Sequence, residues 1–227
     1  MDILPIYQAK TKCMFCEHPF STSKVRSRFV RVMGHDSDFK PIYKNAEAVN
    51  PMYYNVAVCP SCGFAFTEDF LPFFAPHIRE RIASTIQANW KHRSFGDERS
   101  VEEAIETYKL ALLSARLKEE KNLPIAGLAL RLAWIYRDLK DEANEHRFLE
   151  VARDAYTDAY STDEQKGTMM SETRVIYLIG ELSYRIGDRD AAVRNFSRVI
   201  ESQKNSTDPQ VVELAKERWR EIRENEA

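Results

Sequence analysis

Four cysteines form two Cys-x-x-Cys pairs, Cys13 with Cys16 and Cys59 with Cys62, in the stretches KCMFC and CPSCG. Two intervening residues allow both thiolates of one tight turn to face the same ion, and two such turns supply the tetrahedral four-sulfur shell of structural zinc. Because all four positions are filled by protein, no place remains for water or substrate. We therefore predict a structural zinc site rather than a catalytic one.

Other uses of the thiols remain open: iron coordination, a redox dithiol pair, or free thiols. A redox Cys-x-x-Cys motif usually stands beside a βαβ pattern, and the sequence does not show one. Four cysteines complete the shell without His18 and His35. We expect both histidines to be solvated surface groups.

A basic stretch offers a second kind of chemistry. Residues 25–33 (VRSRFVRVM) have the composition of a strand, on which Lys24, Arg26 and Arg28 share one face. Such a face is able to bind phosphate, which makes nucleic acid an alternative partner. The stretch lacks the interleaved exposed aromatics of a base-stacking platform. We therefore favour a solvated strand face.

Two carboxylates, Asp36 and Asp38, stand close together in HDSDF. Two such carboxylates can bind a cation or act as a general acid–base pair, but no third ligand follows at a set spacing. Asp and Ser side chains also bond to nearby backbone amides in turns. The sequence favours this turn chemistry, and the role of both residues stays open.

Composition narrows the class of protein. The chain has 227 residues, 44% hydrophobic and 30% charged, with a net charge of -2, which is typical of a globular protein without a strong basic field. It lacks a recognisable signal peptide and any long apolar run, so a cytoplasmic, non-membrane location is expected. The seven glycines are dispersed, and HExxH, GxSxG and P-loop motifs are missing. We therefore expect no enzyme activity.

The hydrophobic period changes along the chain. Residues 1–75 hold all the cysteines and short β-favouring runs, including 53–58, whereas residues 76–227 have helical periodicity with about six or seven helices. The predicted fold class is α+β in two parts. A small zinc-ribbon-like β module occupies 1–75, and an all-α antiparallel helical array occupies 76–227.

The helical part resembles tetratricopeptide repeats. In residues 173–203, Gly180 takes the small mid-helix position, Gly187 the interhelical turn, and Ala192 and Phe196 the small and aromatic positions of the second helix. An earlier unit at 128–152 fits less well, and 156–170 is expected to be an insertion. The resemblance implies a concave groove lined by Trp134, Arg137, Arg174, Tyr177, Glu181, Tyr184 and Arg185.

The whole chain also resembles an uncharacterised bacterial family. That family joins a CxxC…CPxCG module with a DSDF-type motif to tetratricopeptide-like helices, and the resemblance rests on KCMFC, DSDF and NPMYYNVAVCPSCGFAF. It implies zinc plus a scaffold and no known activity. We expect an interaction scaffold or adaptor that docks a protein or peptide in the groove. A nucleic-acid-binding regulator and a small-ligand sensor are the alternatives, and the sequence leaves the oligomeric state unknown.

Overall fold

A computed structural model describes residues 3–44, 49–204 and 206–224. The strands form three antiparallel pairs: β1 (Ile6–Lys12) with β2 (Pro19–Val25), β3 (Val32–His35) with β4 (Pro41–Tyr43), and β5 (Ala57–Val58) with β6 (Ala65–Phe66). The α-helices of the described residues are α1 (Pro76–Thr85), α2 (Val101–Lys118), α3 (Asn122–Asp138), α4 (Glu142–Ser161), α5 (Glu172–Arg185), α6 (Arg189–Glu201) and α7 (Pro209–Glu224). The predicted α+β layout, with strands first and helices after, is confirmed.

The chain divides into two compact units. One contains Met1–His35 and Pro41–Glu120, and the other contains Asp36–Lys40 and Lys121–Ala227. This division differs from the predicted boundary between residues 75 and 76. Helical periodicity reports secondary structure but not the core that a helix joins, and α1 and α2 belong to the cysteine-bearing unit. We call the two parts the cysteine unit and the helical unit.

The cysteine unit contains the three strand pairs. The predicted strand 25–33 is interrupted after Val25 and resumes only at Val32 in β3, because β1 begins at Ile6, which pairs with Val25, and no partner strand extends beyond it in the described residues. A 3-10 turn at Ser27–Phe29 follows instead. In the predicted strand 53–58, only Ala57–Val58 is a strand, since the Asn50 side chain caps a 3-10 turn at Pro51–Tyr54.

Two helices complete the core of the cysteine unit. Ile78 and Ile82 of α1 are buried, and α2 begins with a capping box, in which Ser100 and Glu103 bond to each other's backbone amides. The ring of Phe74 lies 5.6 Å from that of Phe64, which follows the second cysteine pair. The aromatic core therefore packs directly behind the cysteines.

The helical unit consists of sequential helices joined mainly by short turns. Gly180 of α5 allows close approach of α6, because an added Cβ would lie 3.1 Å from the Phe196 ring. Gly187 adopts a φ of +89° in the turn between these helices, as its predicted turn position requires. Helix α4 runs through Ser161, so the first part of the predicted insertion is helical. The full tetratricopeptide-like arrangement stays a prediction.

Within the described ranges, no helix combines the length and the apolar character required to cross a bilayer.

The turn between α3 and α4 carries local backbone strain. Lys140 adopts a φ of +57° there, and its amide donates to the Arg137 carbonyl at 3.0 Å. A left-handed backbone costs a residue with a Cβ about 1–2 kcal/mol, and glycine avoids this cost. Part of the gain is offset, because glycine also raises the conformational entropy of the unfolded chain. We expect Lys140→Gly to raise the free energy of unfolding by about 0.5–1 kcal/mol in chemical denaturation. Gly187→Ala, the matched control, is expected to lower it; a neutral or destabilising Lys140→Gly would contradict the assignment.

Candidate functional site

Each cysteine pair occupies the tip of a β-hairpin. The first pair lies in the connection from β1 to β2, and the second lies between β5 and β6. The two tips share one backbone pattern. The Cys13 amide donates to the His18 carbonyl at 3.0 Å, and the Cys59 amide donates to the Phe64 carbonyl at 3.0 Å. Two equivalent tight turns therefore present the four thiols.

The four sulfurs converge on one point. The Sγ atoms of Cys13 and Cys62 are 3.7 Å apart, and those of Cys16 and Cys59 are 3.6 Å apart. All four lie within 4.8 Å of one another. Four thiolates at about 2.3 Å from a central ion stand roughly 3.8 Å apart in a tetrahedron, so the arrangement fits a metal site.

The thiols influence one another's ionisation strongly. Hydrogen bonds from Cys13 and Cys62 lower the pKa of Cys59 to about 2. The hydrogen bond to Cys59 is the main cause that raises the pKa of Cys13 to about 12, and the pKa of Cys62 is also raised. One thiolate is thus favoured beside protonated neighbours. Ionising all four requires a cation at the centre, which is why metal binding by such a site is coupled to proton release.

The turn after each second cysteine requires a left-handed residue. Glu17 has a φ of +62° and Gly63 a φ of +75° at equivalent places. Gly63 meets a second constraint, because an added Cβ would lie 2.4 Å from the Trp90 ring. The Trp90 indole donates to the Pro60 carbonyl at 2.9 Å, so this ring covers the second turn.

The other predicted residues of the cysteine unit have different surroundings. His18 and His35 are exposed, as expected. Lys24 in β2 pairs with Glu68, while the guanidinium groups of Arg26 and Arg28 bond to backbone carbonyls near the start of the chain. The three cations do not share one strand face, since Arg28 lies in the 3-10 turn.

A second constellation lies in the helical unit. Residues 36–40 (DSDFK), which we call the acidic segment, form a turn in which the Asp36 amide donates to the Lys40 carbonyl at 2.9 Å. The segment contacts six of the seven predicted groove residues: Trp134, Arg137, Arg174, Tyr177, Glu181 and Arg185. A segment of the chain itself therefore contacts most of the residues that are predicted to line the groove.

Asp38 is the buried centre of these contacts. Its side chain has 0% exposure, and Oδ2 accepts hydrogen bonds from the Trp134 indole at 2.9 Å and from Arg137 at 2.6 Å. Oδ1 accepts from the Lys40 amide at 3.2 Å. A buried carboxylate is tolerated only when it is paired and hydrogen-bonded in this way.

Asp36 bridges two arginines. One oxygen accepts from Arg137 at 2.8 Å, and the other accepts from Arg185 at 3.0 Å. Burial acts to raise the pKa of Asp36, but Arg185, the Ser37 amide and Arg137 outweigh it, so the pKa lies below its ordinary value. Asp36 is thus held as a carboxylate.

Ser37 and Phe39 contact the helices through uncharged groups. The Ser37 hydroxyl donates to Glu181 at 2.6 Å, and the Tyr177 hydroxyl donates to the Ser37 carbonyl at 2.9 Å. The Phe39 ring lies 5.4 Å from the Tyr177 ring, and the Arg174 guanidinium lies 4.8 Å from the Phe39 centroid. The helices therefore contact the main chain, the carboxylates and the ring of the segment.

Glu181 connects the groove to the last helix. Its buried carboxylate accepts from Arg185 at 2.8 Å and from Arg218 of α7 at 2.8 Å. The Arg218 guanidinium also lies 4.7 Å from the centre of the Tyr184 ring, so the structure gives this predicted groove residue a supporting contact. The tetratricopeptide resemblance did not single out Arg218.

The turn chemistry expected for the two aspartates is present but is the smaller part of their role. The Ser37 amide donates to Asp36 at 2.7 Å, as such turns predict. The pairing with Arg137 and Arg185 was not predicted, because partners about 100 or more positions away cannot be identified from one sequence. Trp134 and Tyr177 are both buried, so each is also part of the core of the helical unit.

Replacing the buried carboxylate tests this arrangement. We expect Asp38→Asn to lower the free energy of unfolding by about 2–4 kcal/mol, because Arg137 loses its fully buried charged partner and keeps only the less buried Asp36 and Glu145. Denaturant unfolding followed by circular dichroism measures the loss. Asp163→Asn removes an exposed carboxylate that pairs with Lys166 and is expected to change stability by no more than about 0.5 kcal/mol. Equal effects of the two substitutions would contradict the role of Asp38.

Comparison with known proteins agrees with the sequence resemblance. The chain is 28% identical over 220 residues to an uncharacterised protein of Borreliella burgdorferi, covering 80% of this chain and 78% of that protein. No solved structure matches it significantly. A family described as "Uncharacterized protein conserved in bacteria (DUF2225)" matches residues 6–222, which is nearly the whole chain. The chain therefore belongs to this bacterial family.

Proposed function

We propose that this protein is a non-enzymatic interaction scaffold, in which a structural zinc ion orders the cysteine unit and the helical unit binds an extended acidic stretch of protein. One observation carries the proposal: the acidic segment lies across the predicted groove, with its carboxylates on Arg137 and Arg185. The helical surface thus already has the contacts of a peptide site. Tyr, Trp and Arg side chains, which dominate binding energy at protein interfaces, make most of these contacts.

The donor set supports zinc as the ion. Four thiolates at the tips of two hairpins are a closed structural shell for zinc, with no position left for a substrate. Four-sulfur coordination needs reduced thiols, which the cytoplasm maintains, so we assign the protein to that compartment.

Removing the metal tests the first half of the proposal. Elemental analysis of the purified chain is expected to find one zinc per chain. Cys59→Ser is expected to lose the ion and the order of the cysteine unit, because structural zinc contributes an apparent ~10–16 kcal/mol to small folds. Ser61→Ala alters an exposed residue of the same turn and is expected to keep the metal. A metal-free chain that is fully ordered would contradict the assignment.

The second candidate function is a sensor for a small anionic ligand, because Arg137 and Arg185 bind carboxylates. The protein scaffold is favoured because the helices also contact the main chain and the aromatic ring of the acidic segment. A nucleic-acid function lacks this support, since Lys24, Arg26 and Arg28 all have intramolecular partners.

Site-specific crosslinking in cells tests the interaction function. A photoreactive amino acid in place of the half-buried Tyr184 is expected to form a covalent adduct with a partner protein, detected as a band of higher mass. The same group in place of Arg194, exposed on α6, is the matched control and is expected to give at most a faint band.

The adduct at position 184 is expected to weaken several-fold in an Arg137→Gln background, because the groove loses a guanidinium that pairs with carboxylates. A protein that yields no adduct at position 184, or equal adducts at 184 and 194, would contradict a docking role for this groove.

A further inference from the structure

We propose that the acidic segment is a built-in occupant of a peptide site, and that a partner protein's segment of the form acidic-x-acidic-aromatic displaces it. This inference rests on the proposed function, because it names the class of partner for the same surface. The partner's two carboxylates replace those of Asp36 and Asp38, and its aromatic side chain replaces Phe39.

The contacts of the acidic segment are those of a bound peptide. Helices α3 and α5 supply donors to two side-chain carboxylates, and the Tyr177 hydroxyl binds the Ser37 carbonyl. The Phe39 ring lies against Tyr177 and Arg174. None of these contacts depends on a covalent link between the segment and the helices. A separate chain with the same side-chain spacing can therefore make all of them.

The guanidinium groups of the site select an acidic ligand. Without the segment, the connected cluster on the helices is neutral as a whole, with the arginines Arg137, Arg185 and Arg218 and the glutamates Glu145, Glu181 and Glu221. The preference therefore comes from the positions of Arg137 and Arg185, whose guanidinium groups bond to the carboxylates of the segment. A segment with two carboxylates supplies acceptors at these positions, while a basic segment is repelled there.

The built-in occupant is bound under strain. Phe39 adopts a φ of +64°, which is unfavourable for a bulky side chain. The turn that closes from the Asp36 amide to the Lys40 carbonyl imposes this conformation, since β3 ends at His35 and β4 begins at Pro41. A partner segment that is not closed into this turn avoids the cost of a left-handed residue, which favours exchange.

Tethering opposes this exchange. A covalently linked segment acts at an effective concentration in the millimolar range, so a free peptide must compete with it. The intact chain is therefore expected to bind a free peptide weakly, and weakening the built-in segment is expected to raise the affinity.

A binding experiment on the full chain tests the inference. The probe is a fluorescein-labelled peptide that reproduces residues 33–42 (MGHDSDFKPI), and fluorescence anisotropy measures its dissociation constant. We expect the double variant Asp36→Asn with Asp38→Asn to bind the probe at least tenfold more tightly than the original chain. Adding Arg137→Gln to this variant is expected to abolish binding. The peptide MGHNSNFKPI, with both carboxylates removed, is expected not to bind.

A variant with a smaller change keeps the inference testable if the double variant does not fold. Phe39→Ala keeps both carboxylates and removes only the ring contact, and we expect it to bind the probe at least threefold more tightly than the original chain. Circular dichroism shows which variants are folded. Folded variants with no gain in affinity, or equal binding of the carboxylate-free peptide, would overturn the inference.

Size-exclusion chromatography tests whether the displacing segment comes from a second copy of the chain. If the original chain forms a dimer that the double variant loses, the displacing segment belongs to a second copy, and the assignment to another protein is wrong.

The peptide assay and the crosslinking assay distinguish the two proposals. If the peptide assay fails but a specific adduct forms at position 184, the displacement inference is wrong and the interaction function is retained. Peptide binding without any adduct in cells contradicts the interaction function and leaves the peptide site standing.

Discussion

The pairing of the fully buried Asp38 carboxylate with Arg137 is the interaction on which the helical unit depends. An unpaired charge in such a place costs several kcal/mol, so the two partners and the Trp134 indole that completes the pairing stabilise one another only as a set. The pairing draws five residues from between β3 and β4 into a core otherwise built from residues beyond Glu120. It also places the acidic segment against the residues that the sequence predicts for a groove.

The cysteine centre, formed by the four clustered thiols, depends on a different constraint, the shape of two hairpin tips. Each tip directs two thiols to one side because a left-handed residue follows its second cysteine. The spacing of cysteines specifies this geometry locally, whereas the glycine of the second turn is also required by contact with Trp90. The centre is therefore encoded mostly by short-range sequence, and the groove by long-range pairing.

This difference explains how much the sequence predicted. The cysteine cluster and the turn at Gly187 follow from local spacing and local backbone chemistry. Six of the seven residues predicted from repeat-like positions contact the acidic segment, whereas the docking groove itself stays a prediction. Occupation of the groove by Asp36 and Asp38 was not predicted, because pairing between distant charges leaves no periodic trace in one sequence.

Two other expectations differed from the structure for related physical reasons. Residues 25–33 have strand composition, but a strand requires a partner, and pairing ends where Ile6 meets Val25. The boundary at 75/76 followed a change of period, yet α1 and α2 bury their apolar faces in the cysteine unit. In both cases tertiary contacts decided the outcome.

A double-mutant cycle for Asp38→Asn and Arg137→Gln, measured by equilibrium unfolding, tests the central pairing most directly. We predict that the double variant loses about 1–3 kcal/mol less stability than the sum of the two single losses, since each substitution removes the same buried contact. Additive losses, within about 0.5 kcal/mol, would show that the carboxylate and the guanidinium act independently and would contradict this prediction.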